Sequence, residues 1–341
     1  MKILSIETSC DETAIALIEA KGGLKKPCFK ILNNLVASQI KIHRPFGGVV
    51  PNLAKREHIK NLPILFNKLK AVSYKLKVDL IAVTVGPGLE PCLWTGIEFA
   101  KNLAKKMGKP LMGVNHLEGH LYSFLLAKKT KISLNIFPAI ALVVSGGHTI
   151  LLLTEDLFRF KKLGETRDDA AGEAFDKVAR LLNLPYPGGP QLEKSAKQGN
   201  PDAINFPRPM LNQKNYDFSF SGLKTAVLYY LKEHNLKTLN HKLKADTAAS
   251  FQQAVIDVLV AKTLRAAKEF KAKSILLSGG VANNKSLRQA LKKEARKKKI
   301  IFWAPPLEFT TDNAAMTAVA AYFDHLKKRK KRLIAQGNLN L

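Results

Sequence analysis

Short apolar runs broken by polar or glycine-rich turns set the pattern of this chain. Lys2 to Glu7 reads as a strand, Thr8-Ser9-Cys10-Asp11-Glu12-Thr13 interrupts it, and Ala14 to Ile18 resumes, which predicts a hairpin with an acidic turn. From Pro51 to Leu76 apolar residues recur at helical spacing among lysines and histidines. Asp79 to Val85 reads as a buried strand ending in Gly86-Pro87-Gly88, with a helix predicted from about Gly96 to Met107. Strand, glycine turn and helix make one unit of a parallel or mixed α/β sheet. The second half repeats this order. Ile140 to Val144 gives way to Ser145-Gly146-Gly147-His148-Thr149 before Ile150 to Thr154 resumes, and Ser274 to Leu277 runs through Ser278-Gly279-Gly280-Val281-Ala282-Asn283-Asn284 into a helix. Two strand-to-Ser-Gly-Gly transitions suggest duplicated lobes.

Composition narrows this picture. A chain of 341 residues, 46% hydrophobic and 24% charged, can bury a sizeable core and suits two domains or lobes. Lys and Arg number 55 against 27 Asp and Glu, and the net charge of +28 points to a polyanionic partner such as nucleic acid. Part of that excess sits in Lys292 to Lys299 and Lys327 to Arg332, and such runs also serve as solvated faces or tails. Three unpaired-looking cysteines suggest a reducing compartment. The apolar start is too short for a signal peptide and no run approaches the ~18 residues of a membrane span, so the expected location is the cytoplasm, with no membrane partner.

Candidate chemistry centres on Val114-Asn115-His116-Leu117-Glu118-Gly119-His120. His116 and His120, four residues apart, share one helix face and could share one cation, whereas Glu118 lies roughly 200° round the wheel and points away. That placement argues against a zinc-protease helix, in which the glutamate directly follows the first histidine. The plain alternative is a surface helix carrying two solvated histidines. Asp11 and Glu12 could hold a cation or take a proton, and the hydroxyls of their turn could meet a phosphate. The Ser-Gly-Gly loops allow close backbone approach, and helix N-termini favour phosphate oxygens, but no Walker-type sequence is present. Asp168-Asp169-Ala170-Ala171-Gly172-Glu173-Ala174-Phe175-Asp176-Lys177 reads as a capped helix start, and in Asp217 to Thr225 two phenylalanines and a lysine suit either core packing or base stacking. Asp312 is either the N-cap of a small-residue helix or a carboxylate completing a site with the two histidines.

Taken together, Met1 to Thr13, His43 to Pro51, the HLEGH stretch, SGGHT, DDAAGEAFDK, YPGGP, DFSFSGLKT, SGGV and TDN occur in an order and spacing that resembles the TsaD family over roughly residues 1–325. This family comprises the tRNA N6-adenosine threonylcarbamoyltransferases of bacteria, with relatives in archaea and eukaryotes. The resemblance implies an α/β fold similar to the actin, sugar-kinase and Hsp70 (ASKHA) superfamily, with duplicated RNase H-like lobes. The expected lobes are 1–126, completed by a C-terminal helix at about 308–326, and 127–307, followed by a basic tail at 327–341. It implies transfer of the threonylcarbamoyl group from threonylcarbamoyl-adenylate to N6 of adenosine 37 in tRNAs reading codons that begin with A, with release of AMP. Carried over by motif, the metal ligands are His116, His120 and Asp312, holding one divalent ion, Fe(II) or Zn(II). Substrate contacts fall on Val143, Val144, Ser145, Gly146, Gly147, Asp176, Gly189 and Asn284, with Asp11 or Glu12 as proton acceptor. Expected partners are tRNA, a TsaB-like paralogue and a TsaE-like ATPase. Glu90-Pro91-Cys92-Leu93-Trp94 departs from the small apolar residues of many bacterial members. If the lobes close on the ligand, closure is expected to bring Asp312 to the histidines. A small-molecule kinase, sharing the lobes but requiring no His-His-Asp site, and a non-catalytic nucleic-acid-binding protein remain as alternatives.

Overall fold

The computed structural model describes residues 1–72, 77–127, 134–234 and 240–341. The chain forms two compact units: Met1–Leu134 with Pro305–Leu341, and Asn135–Ala304. In the first unit β1 (Lys2–Glu7), β2 (Glu12–Lys21), β3 (Cys28–Ser38), the short α1 (Ile40–His43), α2 (Pro51–Val72), β4 (Leu80–Gly86), α3 (Glu90–Met107), β5 (Leu111–Asn115) and α4 (His116–Tyr122) follow in order. The second contains β6 (Ala139–Val144), β7 (Thr149–Thr154), β8 (Phe160–Glu165), α5 (Ala171–Leu181), α6 (Gly188–Ala196), α7 (Ser221–Glu233), α8 (His241–Glu269), β9 (Ser274–Ser278), α9 (Lys285–Lys297) and β10 (Ile301–Trp303). The chain then returns to the first unit with α10 (Ala314–Leu326).

The two sheets share one topology. In the first, the order is β3-β2-β1-β4-β5, with β1 antiparallel to β2 and parallel to β4. In the second it is β10-β9-β6-β7-β8, which read from the other edge has the same connectivity and the same senses. Duplication therefore resides in the sheets. The Ser-Gly-Gly loops do not mark it, because both belong to the second unit: β6 and β9 are parallel neighbours with Val143 opposite Ser278, so their loops leave the same end of one sheet.

Local sequence explains these elements. The central strands β4, β6 and β9 are buried at every position, as near-continuous apolar runs in parallel pairings require, whereas the edge strand β3 alternates toward solvent. The acidic turn joins β1 to β2 as expected, with Glu7 opposite Ala14. The predicted helix from Pro51 ends at Val72, and residues 73–76 lie outside those described. Helix α3 starts six residues before the predicted Gly96. Leu89 is extended and Pro91 occupies the first turn, where its missing N–H leaves nothing unbonded. The departure at Glu90–Trp94 thus forms the opening turn of α3.

Residues 327–341, expected as a basic tail, lie against the first unit. Gln336 N–H donates to Val85 O (2.8 Å), Gly88 N–H to Gly337 O (3.1 Å) and Asn115 Nδ2 to Asn340 O (2.9 Å). Gly86 makes this approach possible: at φ 153°, a Cβ there would stand 2.0 Å from Gln336 O. Lys331 reaches inward, its Nζ 2.8 Å from Glu118 Oε2 and 2.6 Å from Asp324 Oδ2.

Candidate metal centre and ligand loops

Helix α4 begins where β5 ends because Asn115 stays extended and its Oδ1 accepts from Leu117 N–H (2.8 Å) and Glu118 N–H (3.3 Å). All seven of its residues are buried, so the solvated-histidine reading fails. His120 is fully buried and His116 is 7% exposed, with their rings edge to face at 4.6 Å. Asp312, just before α10, places Oδ1 3.1 Å from His120 Nε2 and 3.5 Å from His116 Nε2. The three ligand atoms lie within 4.8 Å of one another. Ligands about 2.1 Å from one tetrahedral ion stand roughly 3–3.5 Å apart, a spacing that both Asp312–histidine distances match.

The competing role for Asp312 is filled by its neighbour. Asn313 is the N-cap of α10, its Oδ1 accepting from Met316 N–H (3.1 Å). All three candidate ligands belong to the first unit, so the expectation that lobe closure delivers Asp312 is incorrect. The fold of that unit alone brings it there. Glu118 faces away, as its helical position requires, toward Lys331 and Arg329.

Behind His116 stands Glu7, at the end of β1 and fully buried. Its Oε1 accepts from Ser9 N–H (2.7 Å). Its Oε2 accepts from the hydroxyls of Thr84 and Thr317 and lies 3.3 Å from His116 Nδ1. Burial works to raise the Glu7 pKa, but His116 and the Thr84 hydroxyl bring it below the ordinary carboxylate value. Burial likewise opposes charge on His116, but Asp312 and Glu7 outweigh it and push its pKa up to about 9. In the cation-free cluster His116 therefore holds a proton that a metal must displace. Below pH 9 the apparent metal affinity should rise about tenfold per pH unit, then level off. Chelator competition between pH 6 and 10 checks this, and a flat profile would mean that no proton is displaced.

Sequence reasoning missed Glu7, the last residue of β1, because its role depends on neighbours distant in sequence. It also overestimated the turn's hydroxyls. Thr8 donates to Cys92 O (3.0 Å) and Ser9 Oγ lies 3.2 Å from His116 Nδ1, so both are buried and engaged within the protein. Glu12 hydrogen-bonds Asp11, and burial, with the charges of Asp11 and Asp312, raises its pKa well above the carboxylate range. His58, on α2, supports the same turn. Its Nε2 donates to Cys10 O (2.9 Å) and its Nδ1 accepts from the Thr13 hydroxyl (2.8 Å), an arrangement that requires the neutral ring that burial favours.

The remaining predicted site residues lie in the second unit. Val143 and Val144 are buried at the end of β6. Ser145 closes the following turn, donating its N–H to His148 O (2.8 Å) and accepting His148 N–H at Oγ (3.1 Å). Gly146, Gly147 and Gly189 have open space where a Cβ would stand and no positive φ, so neither packing nor conformation within the chain demands glycine there. A ligand approaching the backbone would. Asp176 and Gly189 come together, since Asp176 Oδ1 accepts from Gly188 N–H (2.8 Å) and Gly189 N–H (3.2 Å) at the start of α6. The Asn284 side chain is taken up structurally: Oδ1 caps α9 through Leu287 N–H (2.9 Å) and Nδ2 donates to Gln252 Oε1 (2.7 Å).

Asp168 does cap a helix, but not the expected one. Helix α5 begins after Ala170 without a side-chain cap, while Asp168 accepts from Phe220 N–H (2.8 Å) and Ser221 N–H (3.2 Å) at the start of α7. Phe218 and Phe220 are fully buried and belong to the core, which excludes them from stacking on bases.

The TsaD family profile, described as tRNA N6-adenosine threonylcarbamoyltransferase, matches residues 30–319. A relative of that name from Thermosipho melanesiensis is 50% identical over 344 residues, covering 100% of both chains. Another from Moorella thermoacetica is 50% identical over 329 residues, covering 96% of this chain and 92% of its own. Among solved structures, full-length HypF in its phosphate- and nucleotide-bound form aligns with a TM-score of 0.58 at 14% identity, over 98% of this chain and 47% of that one. HypF from T. kodakarensis gives 0.58 at 15% identity, over 96% and 48%. At such identities the likeness concerns fold alone, and it agrees with the expected ASKHA-like α/β architecture of paired sheets. With half of its residues shared along the full length of a curated relative, this chain belongs to the TsaD family of tRNA N6-adenosine threonylcarbamoyltransferases.

Proposed function

We propose that the chain transfers the threonylcarbamoyl group of threonylcarbamoyl-adenylate to N6 of adenosine 37 in tRNAs that read codons beginning with A, releasing AMP. The observation that carries this reading is the cluster of buried His116 and His120 with half-buried Asp312 in a chain of this family. One divalent ion, Fe(II) or Zn(II), is proposed there. Two imidazoles and a carboxylate leave positions open to a substrate, and a bound cation would orient and polarise the threonylcarbamoyl carbonyl.

In this reading the backbone of Val143 to Gly147 and the Asp176–Gly189 corner hold the adenylate, with Asn284 fixing the loop beside them. The N6 amine is a weak nucleophile, so positioning supplies much of the acceleration. Asp11 or Glu12, in the turn after β1, is the proposed acceptor for the proton that N6 loses. The expected assembly partners are a TsaB-like paralogue and a TsaE-like ATPase, and the expected location is the cytoplasm. Among the described residues no helix is long and apolar enough to cross a membrane.

Incubation with threonylcarbamoyl-adenylate and unmodified tRNA, followed by nucleoside mass analysis, tests the proposal. A modified adenosine with stoichiometric AMP is expected; phosphorylation of a small molecule from ATP would favour a kinase. With a net charge of +28, tRNA affinity should also fall steeply with salt, log K declining by about 0.7–0.9 per phosphate neutralised for each tenfold rise in salt. Binding measured from 50 to 300 mM salt checks this, and a shallow slope would leave the lysine runs as solvation alone.

A further inference from the structure

We propose that Glu7 is a positioning residue for the metal centre: its carboxylate fixes His116 in the tautomer with hydrogen on Nδ1, leaving the Nε2 lone pair for the ion. This inference rests on the metal-site reading above and deepens it. A carboxylate can only accept, and Glu7 Oε2 lies 3.3 Å from His116 Nδ1, while His116 Nε2 faces Asp312. Ligating histidines are commonly oriented by a carboxylate on the other ring nitrogen, which also strengthens the ligand. Glu7 is itself locked. Ser9 N–H holds one oxygen, the Thr84 and Thr317 hydroxyls hold the other, and every one of these partners donates to it.

The two histidines are unequal in this respect. His120 Nδ1 is buried with no hydrogen-bond partner among the described residues, so orientation by hydrogen bonding falls on His116. Ser9 Oγ also lies 3.2 Å from His116 Nδ1, but a hydroxyl can rotate to donate or accept and so cannot set the tautomer.

Glu7→Gln is the discriminating substitution, because it keeps the shape and introduces a donor. If the amide oxygen keeps Ser9 N–H, the NH2 group faces His116 and favours hydrogen on Nε2, where the metal must bind. If the amide flips, its NH2 opposes Ser9 N–H. Cobalt(II) titration of the full chain should show a 10- to 100-fold loss of affinity in Glu7→Gln and altered visible bands, with Ser9→Ala close to wild type. In zinc-loaded wild type, nitrogen-15 spectra of labelled histidine should place the His116 hydrogen on Nδ1, a readout that does not require the variant to fold. Unchanged cobalt affinity and bands in Glu7→Gln, or zinc on His116 Nδ1, overturns the proposal. If those results coincide with loss of cobalt in His116→Ala, the metal site survives and only the role of Glu7 falls. If wild type binds no cobalt, the site and the role of Glu7 fall together.

Discussion

Asp312→Ser should strip the metal and abolish threonylcarbamoyl transfer while leaving the helix that follows intact. Serine is a poor ligand for a divalent ion, and removing a ligand from a site of three should lower affinity by at least the 10- to 100-fold typical of losing a supporting residue. The alternative, in which Asp312 matters as a helix cap, predicts the reverse: serine caps well, so metal and activity would persist. The hydrogen bonds already favour the first outcome, since Asn313 caps α10. The companion variant Asn313→Ala should therefore cost about 1 kcal/mol of stability and retain the metal. Metal analysis of both purified variants, with denaturation midpoints alongside, separates the two roles. Full metal occupancy in Asp312→Ser would remove Asp312 from the ligand set.

Asp324→Ala should be the most destabilising of these changes, by about 3–5 kcal/mol, because it removes one partner from a buried ionic cluster and leaves the others poorly compensated. The Asp324 side chain is 1% exposed and that of Glu118 6%, and Lys331 sits between them. Arg329 Nη2 stands 2.6 Å from Asp324 Oδ1, so Lys331 and Arg329 are both counter-ions of Asp324. Glu118 lies within α4, so this cluster also ties residues 327–341 to the helix that carries the histidines. Chemical denaturation of Asp324→Ala and Lys331→Met should show both variants destabilised, with faster proteolysis after residue 326. A midpoint within error of wild type in both would mean that the cluster contributes only at the level of an exposed pair.

The sequence was most legible where chemistry is local. Strands β4, β6 and β9 announce themselves because a strand buried on both faces must be apolar throughout, and the i, i+4 spacing of His116 and His120 holds on any helix. Contacts set by tertiary packing were hidden. Asp168 caps a helix 52 residues away, where local reading assigned it to the next one. Two similar Ser-Gly-Gly loops looked like marks of separate lobes because periodicity does not reveal which strands are neighbours. Asp312 was tied to the histidines by family resemblance, since no spacing rule links residues 192 positions apart. Glu7 went unseen because a single acid in a strand has meaning only once its three-dimensional neighbours are known.

That sequence separation has a consequence for biosynthesis. The segment forming the second unit is translated between the histidines and Asp312, so at about 5–20 residues per second the nascent chain carries its two histidines for roughly 10–40 s before Asp312 is made. Over the same interval the sheet face that α10 covers, on β1 and β2, has no partner, and Ser5 lacks the Ala314 carbonyl to which its hydroxyl donates. The proposed metal centre can therefore be completed only late, after the second unit has been translated. Ribosome-bound chains truncated at residue 304 and extended by a flexible linker long enough to carry that residue out of the exit tunnel should fold the second unit yet retain no ion, and the exposed sheet face should make them substrates for chaperones that bind apolar surface.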